Sequence, residues 1–234
     1  MMTAHGQHWR DLYRSRAEAQ TSWYRPHLDE SLRLITEFAG DRAAPVLDVG
    51  GGRSTLVDDL LARNYCDISV LDVSADALAQ SRDRIAAARG ADIAASVHWI
   101  ESDILGADLP VARFGLWHDR AVFHFLVDDS EQDAYVALVE RSLRPGGIAI
   151  VATFANDGPE SCSGLPVQRY DAAALAARFG AGFAGAGLAA AGFERLADAR
   201  ELHATPTGTT QAFTYVVLRR LPSPTQLRAA HAPG

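Results

Sequence analysis

With 234 residues, 48% of them hydrophobic, the chain is long enough for one domain with a sizeable core. Its formal net charge of −7 disfavours nucleic acid as the main partner, and no Lys/Arg cluster offsets that charge. The N-terminus lacks the apolar core of a signal peptide, and no stretch reaches the roughly 18 apolar residues of a membrane span. The two cysteines, Cys66 and Cys162, have no metal-ligand spacing. We therefore expect a cytoplasmic protein that binds no metal, membrane or nucleic acid.

Apolar strand-like runs alternate with amphipathic helical patterns through the first two thirds of the chain. Strands are predicted at 44–50, 66–74, 96–104, 114–119 and 148–154. Helices are predicted at 54–65 with a cap at Ser54 or Thr55, at 75–90 with Gly90 as its last residue, and at 130–147, stopped by Pro145-Gly146-Gly147. This alternation predicts an open parallel sheet with helices on both faces.

The pattern changes after the fifth predicted strand. Residues 173–192 give a glycine-interrupted helical pattern, and 193–220 indicates two strands around the turn at 205–210. The expected fold class is α/β: a doubly wound, mostly parallel seven-stranded sheet with an antiparallel edge strand and an N-terminal helical lid.

Three consecutive glycines, Gly50 to Gly52, follow the strand that ends in "VLDV". A glycine-rich turn at this position lets a ligand lie against bare backbone, and it exposes amide donors at the start of the next helix. The alternative is a tight strand-to-helix connection with no ligand. The glycines alone do not decide between the two interpretations.

Acids accompany the ends of three successive predicted strands, at Asp48, Asp72 and Asp103. A carboxylate at Asp72 can accept hydrogen bonds from both ribose hydroxyls, and one at Asp103 can receive the exocyclic amine of adenine. Taken alone, Asp72 is equally a helix cap and Asp103 a loop acid. Together with the glycines they predict an adenosine-bearing ligand. The third glycine of the dinucleotide fingerprint is replaced by Thr55 and no GxxxxGK[ST] loop occurs, so a ligand without phosphates fits better.

These features together resemble the class I S-adenosylmethionine-dependent methyltransferases. The matching segments are "VLDVGGG" for the D-x-G-x-G motif, "VLDVS" for the ribose-binding acid, "ESDI" for the adenine-side acid and "LRPGGIAIVATF". The resemblance implies S-adenosyl-L-methionine as the cofactor, with Gly50 and Gly52 facing its methionine part and Asp48 positioning the turn or the amino group. The cofactor-binding set that it implies is Asp48, Gly50, Gly51, Gly52, Asp72, Val73, Ser74, Asp103, Ile104 and His118.

The N-terminal stretch 8–35 also resembles a lid found in the elongation-factor lysine methyltransferases and, more loosely, in thiopurine methyltransferase. Trp9 and Tyr13 match aromatic positions on a first helix, and Trp23 and Tyr24 match an aromatic pair before a second helix. Aromatic faces attract cations such as a sulfonium. The alternative is that the rings only pack the helices onto the sheet. We expect Trp23 or Tyr24 to line the site.

The segment "LWHDRAVFHFL", residues 116–126, begins in the fourth predicted strand and abuts the methyl group in this fold. The catalytic candidates are Asp119, which can orient an amine or take its proton, and His124, a general base near neutral pH. Alternatively, Asp119 caps the following turn and His124 only packs. Arg120 either binds an anionic substrate group or forms a structural ion pair. The candidate substrate residues are Trp23, Tyr24, Arg120 and Phe123.

Two further loops offer weaker candidates for substrate contacts. Cys162, Arg169 and Tyr170 follow the fifth predicted strand, where a plain surface crossover is the alternative. His203 and Thr205 adjoin the turn between the last two strands.

The predicted function is methyl transfer from S-adenosylmethionine to a sulfur, nitrogen or oxygen of a small molecule, by a monomer or homodimer. The alternatives are a protein lysine methyltransferase and a non-catalytic S-adenosylmethionine-binding protein; an NAD-dependent oxidoreductase is a third class. Residues 1–221 are expected to form a single domain, with a tail at 222–234. Its parts are the lid (1–44), the cofactor-binding core (45–155) and a substrate-side loop with edge strands (156–221).

Overall fold

A central sheet organises the computed structural model, which describes residues 4–15, 21, 23–180, 182–183, 192–206 and 208–222. The strands are β1 (Val46–Val49), β2 (Ile68–Asp72), β3 (His98–Glu101), β4 (Phe114–Arg120), β5 (Leu143–Phe154), β6 (Ser161–Cys162), β7 (Leu165–Pro166), β8 (Gly182–Phe183), β9 (Phe193–Ala204) and β10 (Thr210–Arg220). Eight of them form one sheet in the order β3-β2-β1-β4-β5-β10-β9-β8, while β6 and β7 pair separately.

The strand directions explain where a ligand can bind. Strands β1 to β5 are mutually parallel, and the strand order reverses between β1 and β4. Strand β10 is antiparallel to both β5 and β9, and the two-residue β8 is parallel to β9. The prediction of a mostly parallel sheet with antiparallel pairing at one edge is confirmed. In such sheets the crevice for a ligand opens at the carboxyl ends of the strands beside the reversal.

Helices cover both faces of the sheet. They are α1 (Ala4–Ser15), α2 (Asp29–Phe38), α3 (Leu56–Ala62), α4 (Ala75–Arg89), α5 (Ala91–Ser96), α6 (Asp129–Ser142) and α7 (Ala172–Arg178). Strand β5 shows the consequence, because Ile148 and Ile150 belong to one buried cluster with α2, α3 and α4, while Ala149 and Val151 belong to a second with α6 and α7. Burial on both faces accounts for the continuous apolar composition of this strand.

Two helix ends differ from the predicted ones. Helix α6 ends at Ser142, because Leu143 is already extended and pairs with Phe114, and the residue before Pro145 disfavours helical geometry. Gly90 has the expected positive φ of 100°, but a further helix, α5, follows it directly. At the start of α3, Thr55 occupies the N-cap position without a capping hydrogen bond from its side chain, and the Ser54 hydroxyl accepts the Leu56 amide at 3.1 Å.

Among the described residues of the glycine-interrupted stretch 173–192, a helix covers Ala172–Arg178 and β8 follows it. Residues 184–191 and the predicted tail beyond residue 222 lie outside the described residues. In the described part of the chain, no helix has the length and apolar character that a membrane span requires.

Candidate active site

The glycine turn after β1 forms one wall of a cavity at the switch point of the sheet. Gly50 and Gly51 line the cavity, and Gly50 has a φ of +66° that favours glycine. A Cβ at Gly50 would lie 2.2 Å from the Val122 side chain, and one at Gly51 would lie 2.5 Å from Val70 and 2.6 Å from Asp48. At such distances a side chain at either position would displace its buried neighbours, so glycine suits both the close packing of the turn and the access of a ligand to its backbone.

Asp72 stands beside this turn at the end of β2 and lines the same cavity. Its side chain is buried, and its Oδ1 accepts the Ser74 amide at 2.9 Å. Burial raises the pKa of Asp72 to about 7, and the Asp48 charge adds to that effect. Ser74 does not line the cavity; its hydroxyl accepts the Ala77 amide at 3.3 Å and caps α4. Gly52 packs against the Asp72 carboxylate rather than on the cavity wall.

Asp48 presents a buried acceptor to the cavity. Its Oδ1 lies 2.7 Å from Nδ1 of His118, and since a carboxylate can only accept, that nitrogen donates. Oδ2 of Asp48 is buried and has no hydrogen-bond partner among the described residues. An unpaired buried carboxylate oxygen is costly, so a ligand that donates a hydrogen bond or carries a positive charge at this point would be stabilised.

A chain of buried side chains continues from His118 to the other end of the cavity. Nε2 of His118 lies 2.9 Å from the Ser31 hydroxyl, which also makes a hydrogen-bonding contact with the Tyr215 hydroxyl. Tyr215 donates to Glu201 at 2.7 Å and accepts from Nε of Arg120 at 3.0 Å. Both nitrogens of the His118 ring are therefore occupied within the protein, which leaves this side chain a positioning role.

Aromatic side chains of α1 and the segment after it close the cavity opposite the sheet. Trp9 packs edge-on against Trp23 at 5.7 Å and against Phe125 at 5.0 Å between ring centroids. Tyr13 lies 6.3 Å from Trp23, and Tyr24 also lines the cavity. These rings pack against one another and also form a wall of the cavity, so packing and lining of the site both apply to them.

The structure places the predicted catalytic residues away from the cavity. The Asp119 carboxylate is fully buried, accepts the Val122 amide at 2.8 Å and the Phe123 amide at 3.0 Å, and also accepts the Tyr135 hydroxyl. His124 packs between Phe125 and Phe154, and burial, with the Arg120 charge, lowers its pKa to about 3. Neither side chain lines the cavity. The geometry therefore favours the alternatives, capping by Asp119 and packing by His124, and a catalytic role for either residue stays a prediction.

Some of the other predicted site residues line the cavity and some do not. Val73, Asp103, Ile104 and Arg120 line the cavity, whereas Phe123 is buried against Tyr135 and Phe179 on the opposite face of the sheet. Among the weaker candidates, only Cys162 reaches the cavity; the others, Arg169, Tyr170, His203 and Thr205, do not line it.

Several lining residues were not among the predictions. They include Arg25, Arg53, Val122 and Phe125. Strand alternation could have indicated the face, because His118 and Arg120 are two positions apart on β4 and both line the cavity, whereas Asp119 points the other way. No comparable periodic signal marks Arg25, which lies in a connection without regular structure.

The cavity fits S-adenosylmethionine by the chemistry of its donors and acceptors. Asp72 offers a carboxylate for ribose hydroxyls, Ile104 and Asp103 would hold the adenine, and the unpaired Oδ2 of Asp48 matches an ammonium group. Arg53, which lines the cavity beside the glycine turn, would face a carboxylate. Within the described ranges, no group of three or more His, Cys, Asp or Glu side chains is arranged to hold a metal ion.

Fold and site together define the class I methyltransferase architecture, a doubly wound sheet with a nucleoside site at its switch point. The comparisons agree. Residues 46–147 match the family model described as a methyltransferase domain. This segment, less than half of the chain, is thus similar to a methyltransferase domain, and it lies in a chain with the class I methyltransferase fold.

Two curated relatives are similar over part of the chain. The malonyl-[acyl-carrier protein] O-methyltransferase of Enterobacter lignolyticus is 37% identical over 128 residues, which are 53% of this chain and 44% of that enzyme. The eEF1A lysine and N-terminal methyltransferase of Bos taurus is 26% identical over 146 residues, 60% of this chain and 20% of that protein. The chain therefore spans less than half the length of either relative.

Solved structures share the fold over almost the whole chain. One, described for the conversion of a disulfide bond into a thioacetal group during echinomycin biosynthesis, has a TM-score of 0.71 at 20% identity and covers 97% of both chains. The Burkholderia thailandensis 1,6-didemethyltoxoflavin-N1-methyltransferase, with bound 1,6-didemethyltoxoflavin and S-adenosylhomocysteine, has a TM-score of 0.62 at 18% identity. It covers 94% of this chain and 85% of its own.

Proposed function

We propose that this protein transfers the methyl group of S-adenosylmethionine to a sulfur, nitrogen or oxygen atom of a small molecule. One observation carries the proposal: a single cavity is lined both by the glycine turn with Asp48 and Asp72 and by the aromatic side chains of Trp9 and Trp23. The first group suits the cofactor, and the second leaves room for a compact acceptor beneath the N-terminal segment. The enzymatic names of the relatives add support.

The chain contributes mainly alignment and exclusion of water. S-adenosylmethionine supplies a methyl group that is already activated on a sulfonium. Both ring nitrogens of His118 are occupied, and neither Asp119 nor His124 reaches the cavity. None of these three side chains is therefore placed to take a proton from an acceptor. Their arrangement favours catalysis by proximity and desolvation, with an acceptor atom that is nucleophilic without a base.

Protein lysine methylation is the second candidate, and the bovine relative and the lid resemblance favour it. The charges at the cavity argue the other way, because Arg25 and Arg120 line it on the side away from Asp72 and would repel a lysine ammonium. Asp119, the acid expected to orient such an amine, is fully buried and bonded to Tyr135. A non-catalytic S-adenosylmethionine-binding protein is the third candidate.

We further propose that residues 1–221 act as one cytoplasmic domain, with residues 1–44 as a lid, and that the protein works as a monomer or homodimer without nucleic acid or membrane. The contact between Trp9 of α1 and Phe125 beyond β4 supports a lid that closes on the core.

The test uses methyl-labelled S-adenosylmethionine with a cell extract divided into dialysed macromolecules and small metabolites. Wild type is compared with Asp72→Asn and with Asp83→Asn, an exposed acid on α4, as the matched control. We expect label in the metabolite fraction with the wild type and with Asp83→Asn, and no label there with Asp72→Asn. Label on a protein band instead would establish the lysine candidate. Binding of S-adenosylhomocysteine without label in either fraction would favour the non-catalytic one.

A further inference from the structure

Arg120 is a buried cation on the cavity wall, and its surroundings fix its orientation. Its side chain is 5% exposed, and its guanidinium carbon lies 4.1 Å from the centre of the Phe213 ring. Nε donates to Tyr215 at 3.0 Å, and Nη2 donates to Glu201 at 3.3 Å. Three partners on two strands therefore hold the guanidinium plane before any ligand arrives, which lowers the entropic cost of binding.

The third guanidinium nitrogen has no such partner. Nη1 of Arg120 makes no hydrogen bond to any residue that the structure describes, while its neighbours Nε and Nη2 are both engaged. A charged donor on a cavity wall gains most from an acceptor that is itself charged. The free donor thus points to an anionic ligand group at this end of the cavity.

The charges around Arg120 also favour an anionic ligand group. Arg25 and Arg120 share a single buried carboxylate, that of Glu201. The other acid near Arg25 is Asp29, which is 3.6 Å away and 75% exposed, so water screens it. The pKa of Glu201 lies below its usual range despite burial, because the two arginines and Tyr215 stabilise its charged form. This end of the cavity, formed by Arg25 and Arg120, keeps an excess of positive charge.

This cationic end is separate from Asp72 and Asp103, while Asp48, on the neighbouring strand β1, is bonded to His118. Asp72 is on β2 and Arg120 on β4, with β1 between them. Two strand spacings put the strands roughly 10 Å apart, and Asp103 follows β3, one strand farther away. A group bound at Arg120 therefore lies on the acceptor side of the cavity.

The wall between the two ends is aromatic. Trp23 and Phe125 both line the cavity and both pack around Trp9. Rings of this kind prefer planar or aromatic partners, which stack on them or meet them edge-on. The acceptor side thus combines a flat apolar wall with one oriented cation.

Resting on the proposed function, we propose that the methyl acceptor is a ring-bearing small molecule with a carboxylate, and that Arg120 is the residue that binds this carboxylate and determines the specificity. The carboxylate would accept a hydrogen bond from Nη1, while Glu201 and Tyr215 keep the guanidinium in place. Arg25 adds long-range attraction.

The test measures binding rather than turnover, so it does not depend on methyl transfer. The protein is first saturated with S-adenosylhomocysteine, which occupies Arg53 and the cofactor end. Benzoate and benzamide, a matched pair that differs in charge, are then titrated while the intrinsic tryptophan fluorescence is followed, to which Trp9 and Trp23 contribute from the cavity wall. The variants are Arg120→Gln and, as a control, Arg144→Gln, whose side chain is 45% exposed and pairs with Asp41.

We expect benzoate to bind at least about tenfold more tightly than benzamide to the wild type and to Arg144→Gln, as one charged hydrogen bond implies. In Arg120→Gln the preference should fall to about twofold or less. Equal affinities of the wild type for benzoate and benzamide, or no saturable binding of benzoate to it, would overturn the proposal. Both results come from the wild type alone, so they do not depend on the folding of Arg120→Gln. Failure of S-adenosylhomocysteine itself to bind would instead count against the proposed function.

Discussion

Binding of the nucleoside should tighten as the pH rises, because Asp72 must be ionised to accept hydrogen bonds from ribose hydroxyls. Its side chain is 4% exposed, and burial raises its pKa to about 7. About a tenth of a carboxyl group is ionised one pH unit below its pKa and about nine tenths one unit above it. The affinity should therefore rise about tenfold between about pH 6 and about pH 8, equivalent to about 1.4 kcal/mol, and level off above that.

The assay is calorimetric titration with methylthioadenosine, which carries the adenosine part but no amino or carboxyl group that would titrate in this range. Asp72→Asn is the control, since an amide has no charge to lose and should give weak binding that does not change with pH. A flat profile in the wild type would refute the reasoning. An equal slope in Asp72→Asn would assign the titration to a group other than Asp72.

The same shift has a consequence for the stability of the ligand-free protein. The folded pKa of Asp72, about 7, exceeds its model-peptide value of 3.8, so the folded state binds more protons between these values. Stability is then highest below about pH 4 for this group and is lost as the pH rises through 7. Asp72→Asn should accordingly raise the melting temperature of the ligand-free protein at about pH 8 while it weakens cofactor binding. A lower melting temperature would contradict this sign.

Three further substitutions separate structural from functional roles. Asp119→Ala removes three hydrogen bonds, including that from Tyr135, and should lower the free energy of unfolding in urea by about 3 kcal/mol. Loss of activity at unchanged stability would instead support a catalytic role for Asp119. Ser31→Ala should weaken S-adenosylhomocysteine binding about fivefold in calorimetry, because His118 loses the partner that orients its ring toward Asp48; unchanged affinity would refute the link. Gly51→Ala should weaken it more than tenfold, whereas Gly106→Ala, where nothing lies within 4 Å, should bind normally.

The cofactor end of the site could be predicted because its parts are local in sequence. Each acid lies at or just after the carboxyl end of a strand, and parallel strands bring these ends to one edge of the sheet. The glycine turn is likewise contiguous with β1. The parallel direction of the first strands followed from the alternation of strand and helix patterns, and the antiparallel pairing at one edge followed from the two strand-like runs around the turn at 205–210. The end of α6 did not, because pairing of Leu143 with Phe114 overrode the helical pattern.

The acceptor end depends on contacts between distant parts of the chain. Arg25, Arg120, Glu201 and Tyr215 come from a connection and three strands, and nothing in their spacing predicts that they meet. Buried ion pairs of this kind are selected by their neighbours rather than by local propensity. This end of the site therefore emerges only from the sheet order.

Along β4, a difference of one position determines whether a side chain lines the cavity or is buried on the opposite face of the sheet. His118 and Arg120 point to the cavity, while Asp119 between them points to α6 and bonds to Tyr135. The acid that resembles a lysine methyltransferase motif is thus turned inward, and the residue beside it presents a cation to the acceptor. If β4 were shifted by one position, the acceptor end would carry a carboxylate and suit an amine. In the register observed, the charge at the acceptor end suits an anion, so specificity follows from strand alternation as much as from residue type.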